Sequence, residues 1–286
     1  MPELPDVEAA RCYLIASGLV GSTVTGVDVL WPRAVYRITA DAFARGVSSQ
    51  TVVELARRAK YLLFRLAPST TKRAPKSPET SRTTLIVHLG MTGGLLLAPS
   101  SQPRPRFCTA VFTLDRAREI RFTDPRKLGH LWLVSDETEV TGKLGPEPLE
   151  PEFTPRVLAG IVAGKATPIK ALLLDQAAIA GIGNIYADEA LFAARIAPTK
   201  QAAALTSAEV NRLHRAIRAI LPRATDFLAE RMPFTRPPTE SAEGRGVLAV
   251  PRKEGAPCSR CGKPVERVVL GGRSAYSCPK CQPSLR

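Results

Sequence analysis

The 286-residue chain predicts an α+β protein: an N-terminal β-sandwich, a helical domain after it, and a C-terminal β-hairpin zinc finger. Three observations carry that prediction. Short segments rich in Val, Ile, Leu and Thr fill about the first 135 residues, with few helical stretches among them. Helical periodicity takes over beyond a Gly/Pro-rich stretch, Gly142-Lys143-Leu144-Gly145-Pro146-Glu147-Pro148. Four of the six cysteines then crowd into the last 29 residues as two CxxC pairs. The expected divisions are 1–135, a linker over 136–149, a helical domain over 150–232, a flexible loop over 233–254 and the finger over 255–286.

Taken in order, the chain opens on Met1-Pro2-Glu3-Leu4-Pro5-Asp6-Val7-Glu8. The small residue after the initiator favours removal of Met1, which exposes a secondary α-amine on Pro2. Such an amine titrates near pH ~8, well below a lysine side chain, so much more of it is nucleophilic at neutral pH. Attack on an aldehyde-level carbon gives an iminium ion, the electron sink of Schiff-base catalysis. Glu3 is placed to move protons for that chemistry, and Asp6 to cap a helix lined by Val7, Leu14 and Leu19. A frayed proline-rich end is the plain alternative for this stretch alone.

Gly18 and Gly21 end that helix. Strand-like segments follow at Val24 to Val29, Gln50 to Leu66, Thr84 to Leu97, Phe107 to Leu114 and Glu119 to Val134, with Leu62, Phe64 and Leu66 alternating like Leu85, Val87 and Leu89. Pro68 to Arg82 and Pro99 to Arg106 are polar and proline-bearing, so they read as exposed loops. Asp124-Pro125-Arg126-Lys127-Leu128-Gly129 is a short loop offering two cations and one apolar side chain, the equipment of a residue group that props open bent DNA, although an ordinary turn has the same composition. In Gly181-Ile182-Gly183-Asn184-Ile185-Tyr186-Ala187-Asp188-Glu189 the glycines precede a helix start whose bare N–H groups suit phosphate, or simply an N-cap. Thr206-Ser207-Ala208-Glu209 is a capping box, and Val210, Leu213, Ile217, Ile220 and Leu221 form the apolar stripe behind it; Arg212, Arg215 and Arg218 fall on other faces and read as solvated charges.

The formal charge of +14, from 40 Lys and Arg against 26 Asp and Glu, suits displacement of counterions from a phosphate backbone. Hydrophobic content of 44% excludes wholesale disorder. With no apolar run of membrane-spanning length and no signal-peptide core after Met1, the expectation is a soluble intracellular protein. Cys12 and Cys108 sit among apolar neighbours and read as core residues. Cys258-x2-Cys261-x16-Cys278-x2-Cys281 has the spacing of two knuckles around one tetrahedral Zn²⁺; four cysteines close the site, so the metal is structural. Val265 to Leu270 and Ala275 to Ser277 flank Gly271-Gly272 as a hairpin between the knuckles.

These stretches, together with Arg58-Ala59-Lys60-Tyr61-Leu62 and His88-Leu89-Gly90-Met91-Thr92-Gly93, occur in the order found in bacterial formamidopyrimidine-DNA glycosylases, which the chain resembles over essentially its whole length. The resemblance implies a helix–two-turn–helix architecture for the helical domain, with damaged duplex DNA across the cleft between domains. It implies a monomeric, cytoplasmic, nucleoid-associated bacterial enzyme that is glycosylase and AP lyase together. Pro2 matches the nucleophile, Glu3 a proton-transfer group, and Lys60, His88, Asn184 and Arg273 phosphate-gripping positions. Lys170 matches a lysine near the lesion pocket. Met91, Arg126 and Leu128 match the side chains that fill the gap left by a flipped nucleotide.

The departures bear on substrate choice. Leu128 stands where the family usually has an aromatic wedge, Val250-Pro251-Arg252-Lys253 replaces a typical Val-Tyr-Gly-Arg run, and Pro233 to Gly246 matches the family's lesion-covering loop poorly. Oxidised or ring-opened purines are the expected substrates. Three rivals stay open: an endonuclease VIII-like enzyme for oxidised pyrimidines, disfavoured by Leu4 where that branch usually carries glycine; a homologue that binds lesions without cutting; and a sequence-reading zinc-finger regulator.

Overall fold

The computed structural model of the chain describes residues 1–69, 83–232 and 248–283. Most of the expected loops over Pro68 to Arg82 and 233–254 lies outside these residues. Backbone contacts gather the chain into two compact units. Met1–Pro2 and Asp6–Gly142 build one; Glu3–Pro5, Lys143–Glu230 and the described residues from 248 onward build the other.

The first unit is the expected β-sandwich. Helix α1 (Leu4–Ala16) buries Val7, Ala10 and Leu14 in its core. Asp6 lies inside the first turn of α1, so it is not the cap expected of it, although its charge still suits the helix dipole there. Strand β1 (Val24–Val29) is followed by α2 (Ala40–Val47), whose N-cap Thr39 accepts the Ala42 N–H at 3.2 Å. The apolar segment Gln50 to Leu66 divides into β2 (Gln50–Arg58) and β3 (Tyr61–Pro68), turning at Ala59-Lys60, where Ala59 takes φ of 53°. The remaining strands are β4 (Thr83–His88), β5 (Gly94–Pro99), β6 (Cys108–Leu114), β7 (Arg118–Thr123) and β8 (His130–Val134), and a short helix α3 (Thr138–Thr141) closes the unit.

Two antiparallel sheets result, ordered β1-β6-β7-β5 and β2-β3-β4-β8. Their inner faces share one core, with Leu62, Phe64, Leu66, Leu85 and Val87 from one sheet against Leu95, Phe112, Ile120 and Phe122 from the other. Each fully buried Leu or Phe stabilises this packing by about 1.5–3 kcal/mol. Cys12 and Cys108, expected in the core, are only half-buried.

The second unit is helical with an appended hairpin. Thr154 caps α4 (Pro155–Val162), accepting the Val157 N–H at 3.3 Å, and α5 (Ile169–Leu174) and α6 (Asn184–Ala194) follow. Helix α7 (Ser207–Ala229) starts at the expected capping box and buries Val210, Leu213, Ile217 and Leu221. All three arginines expected to be solvated donate to carbonyls, Arg215 Nε to Asn211 O at 3.3 Å within its own helix, although Arg215 and Arg218 stay exposed. Arg212 Nε donates to Ala194 O at 3.0 Å, closing the C-terminus of α6, and Arg218 Nη1 donates to Leu149 O at 2.6 Å and Glu150 O at 2.8 Å. The hairpin of β9 (Glu266–Leu270) and β10 (Arg273–Ser277) turns at Gly271-Gly272 between the two cysteine pairs. No helix among the described residues is long and apolar enough to cross a membrane.

Candidate functional site

The start of α6 is not a vacant anion site. Both carboxylate oxygens of Glu3 are bound there: Oε2 accepts the Gly183 and Tyr186 N–H groups at 3.0 and 3.2 Å, and Oε1 accepts that of Ile185 at 2.8 Å. A side chain from 180 residues away thus fills the positive end of the helix. Gly183 is required by this approach, because a Cβ there would collide with the Glu3 carboxyl group. Leu4 N–H donates to Gly181 O at 3.0 Å, so the backbone just after Pro2 is fixed to the same loop. The phosphate reading of this helix start therefore narrows to the Asn184 carboxamide, whose NH2 is the end able to donate to phosphate; its acceptor Oδ1 is buried without a partner among the described residues. Pro2 itself is buried.

Asp188 and Glu189 lie further along α6 than its first turn and are buried. Asp188 Oδ1 accepts Lys170 Nζ at 2.7 Å and Asp188 Oδ2 accepts Arg252 Nη1 at 3.0 Å. Lys170 Nζ also donates to Ser274 O at 2.7 Å. The Lys170 side chain, expected near a lesion pocket, is 0% exposed here and clamps α5 to α6 and to β10. Burial pulls the Lys170 ammonium below its ordinary range and pushes the Asp188 carboxyl up, and their contact opposes both effects. Glu189 accepts the Ala249 and Val250 N–H groups at 2.8 Å each, holding the segment that enters the finger.

In the first unit, Lys60 occupies the β2–β3 turn and is buried. Its neighbour Tyr61 pairs with His88 across the strands. His88 is driven down to about 4 by burial first, then by the Lys60 and His130 charges. It is therefore neutral at pH 7. Its Nδ1 accepts the Gly90 N–H at 3.2 Å, so Nε2 carries the proton and can donate it to a ligand.

Asp124 ties the turn carrying Met91 to the loop that carries Arg126 and Leu128, distant from it in sequence. Fully buried, Asp124 accepts the Leu128 and Gly129 N–H groups on Oδ2 at 2.6 and 2.7 Å, and the Thr92 hydroxyl on Oδ1 at 2.6 Å. Gly90 (φ 65°) lets the Met91 turn pack directly on Leu128 and Gly129, where a Cβ would come within 2.6 Å of backbone. Arg126 and Lys127 are exposed, Leu128 is 40% exposed, and Lys127 Nζ sits 3.9 Å from the centre of the Trp31 ring. The organising role of Asp124 was not read from the sequence, though an Asp opening a Pro-containing loop is the signal for it.

The four cysteine sulfurs lie within 4.8 Å of one another, with Cys258 to Cys281 at 3.9 Å and Cys261 to Cys278 at 3.5 Å. Sulfurs on a tetrahedral zinc with ~2.3 Å bonds are about 3.8 Å apart, so the set fits one Zn²⁺. Without metal, backbone N–H contact brings the Cys261 thiol down to about 7, whereas burial and the neighbouring sulfurs push Cys281 up to about 12. Four thiolates at neutral pH thus need a cation among them. Arg273 is exposed at the first residue of β10, on the hairpin this metal supports.

Comparison with known proteins agrees with this arrangement part by part. Residues 1–131 match the formamidopyrimidine-DNA glycosylase N-terminal domain, 144–232 the H2TH domain of the same enzymes, and 255–283 the zinc finger found in FPG and IleRS. The formamidopyrimidine-DNA glycosylase of Symbiobacterium thermophilum is 43% identical, over 99% of this chain and 90% of its own. Among solved structures, Lactococcus lactis FPG (MutM) in complex with FAPY-dG containing DNA aligns with a TM-score of 0.83 at 28% identity, covering 99% of this chain and 100% of that one. The MutM (FPG) protein of Thermus thermophilus aligns with a TM-score of 0.81 at 35% identity, both chains covered in full. With the sandwich, the helical domain and the four-cysteine finger each matched in order, the chain belongs to the formamidopyrimidine-DNA glycosylase family.

Proposed function

We propose that this protein is a base-excision repair DNA glycosylase with AP lyase activity, removing oxidised or ring-opened purines from duplex DNA. The observation that carries the reading is the Glu3 carboxylate bound by three N–H groups at the α6 start, because it fixes the chain immediately beyond Pro2. A nucleophile gains most when its position is settled before substrate arrives. Once Met1 is removed, the Pro2 amine attacks C1′ of the damaged nucleotide and the base leaves with a proton. The Pro2 nitrogen gives up its proton as it bonds to C1′, the C1′–O4′ bond then breaks with O4′ taking a proton, and the resulting iminium acidifies C2′, so that β- then δ-elimination breaks the strand on both sides. Glu3 is the carboxylate next to the nitrogen and serves the proton transfers; Lys60, at its tight turn, supplies positive charge.

Contacts to DNA divide into charged and neutral donors. Arg273 contacts phosphate as a cation, His88 through a neutral Nε2–H, and Asn184 through its carboxamide. Met91, Arg126 and Leu128 fill the space vacated by the flipped nucleotide, a role favoured by Asp124, which binds Thr92 next to Met91 and the backbone N–H groups of Arg126 and Leu128. Cys258, Cys261, Cys278 and Cys281 hold one zinc that supports the hairpin bearing Arg273.

Borohydride trapping tests the chemistry. Met1-processed protein should give a covalent adduct with abasic duplex, and protein retaining Met1 should give none. Adduct formed equally well with Met1 in place would remove Pro2 as nucleophile. Release from duplexes carrying formamidopyrimidine, 8-oxoguanine or thymine glycol decides the substrate class. Preference for thymine glycol would favour the endonuclease VIII-like alternative.

A further inference from the structure

Phe107 stands at the first turn before β6 with φ of 67°, a left-handed conformation that a bulky side chain adopts only under constraint. Its ring is 45% exposed and belongs to none of the buried clusters among the described residues. The Arg106 guanidinium lies over it at 4.8 Å. Packing does not explain a strained backbone bearing a solvated aromatic ring, because glycine or asparagine would fit that backbone with less strain.

Its attachment does suggest a use. The Asp124 N–H donates to Phe107 O at 2.9 Å, and Asp124 in turn holds the Leu128 N–H at 2.6 Å. Phe107 and Leu128 are thus two exposed apolar side chains fastened to one buried residue, with exposed Arg126 in the same loop. Their chemistry differs. A branched aliphatic tip fills volume, but it offers no flat face to a base, whereas a phenyl ring backed by a guanidinium does.

Resting on the DNA-facing role given above to the 124–129 loop, we propose that Phe107 is a base-stacking residue, its ring packing on a nucleobase of the duplex that Arg126 and Leu128 hold open. Stacking and filling are then divided between two turns of the scaffold, and lesion recognition depends on a side chain outside the 124–129 loop itself.

The test uses the full, Met1-processed, zinc-loaded chain and a duplex carrying a tetrahydrofuran abasic analogue with 2-aminopurine opposite it. Phe107→Leu should bind this duplex on the order of tenfold more weakly, with 2-aminopurine emission higher in the complex because the base loses its ring partner. Binding to undamaged duplex should hardly change. Phe107→Tyr should restore both affinity and quenching, and Leu128→Phe placed in the Phe107→Leu background should recover part of the loss. Phe107→Gly should bind as weakly as Phe107→Leu while its melting temperature stays level or rises, since glycine relieves the positive φ. Unchanged affinity and emission in Phe107→Leu would overturn the inference, as would a Phe107→Gly defect accompanied by lost stability. Wild-type protein with no preference for the abasic duplex would remove the glycosylase reading and this inference with it. Preference retained in Phe107→Leu would remove the inference alone.

Discussion

His88 shows how a single environment changes what a residue can contribute. A surface histidine would be a partial cation at pH 7; this one is lowered to about 4, chiefly by burial. An unfolded histidine titrates near ~6.5, so between pH 6.5 and about 4 the unfolded chain binds more protons than the native one. Stability from this group is complete above the unfolded value and is lost as pH falls through that window, by an amount of the order of 3 kcal/mol. His88→Gln should therefore flatten the fall in melting temperature between pH 6.5 and 5, where carboxylates contribute little. An unaltered slope would place the titrating group elsewhere. Lys170 illustrates the opposite case, a charge enclosed with its partner. Lys170→Met leaves the buried Asp188 carboxylate with Arg252 as its remaining cation, so it should cost about 3 kcal/mol in denaturant unfolding, the lower end for a broken buried pair. The double change Lys170→Met with Asp188→Leu should recover much of it. If Lys170→Met folded normally and lost only lesion binding, the lysine would face DNA after all.

At the scale of elements, α6 and the zinc hairpin depend on each other. Helix α6 supplies Asp188 and Glu189, which hold Lys170, Arg252 and the backbone at 249–250, and Lys170 reaches across to the Ser274 carbonyl of β10. Chelating the zinc should unravel the hairpin, since four thiols crowded within 4.8 Å then lose the cation that holds them together, and a small cluster around Phe192 and Val250 with the Lys170–Ser274 bond is left to order it. The expected result is loss of DNA binding through loss of Arg273 placement, while the sandwich unit, with its own core, keeps its melting transition. Metal-free protein that still bound lesion duplex at full strength would contradict this. The sequence made much of this scale readable, because local signals sufficed. Alternation at Leu62, Phe64 and Leu66 marked a sandwich strand, Thr206 and Glu209 marked the start of α7, and cysteine spacing marked the finger. What it hid were pairings made only by the folded chain. Nothing near Gly183 announces that Glu3 fills the helix start, nothing around Lys170 announces its buried pairing with Asp188, and an arginine that reads as solvated ends up capping a carbonyl like Arg212.

For the whole molecule, the relevant quantity is not the net charge of +14 but how many cations remain available to a polyanion. Many are already committed: Arg11 and Arg57 to Glu8, Arg65 to Glu54 and Glu137, Arg121 to Glu119, Lys200 to Glu209. Such pairs soften the field without releasing counterions from DNA. Each phosphate neutralised by a protein cation contributes a slope of about −0.9 to the plot of log affinity against log salt, whereas a neutral donor contributes none. The contacts proposed above therefore separate by experiment. Arg273→Gln should weaken binding to lesion duplex and make the slope shallower by about 0.9. His88→Gln and Asn184→Ala should weaken binding too, yet leave the slope where it was, because a neutral imidazole and a carboxamide release no ions. Measured from 50 to 200 mM salt at pH 7.5, a slope change in His88→Gln would mean that the bound phosphate protonates the ring. An unchanged slope in Arg273→Gln would mean that the hairpin arginine does not touch the backbone.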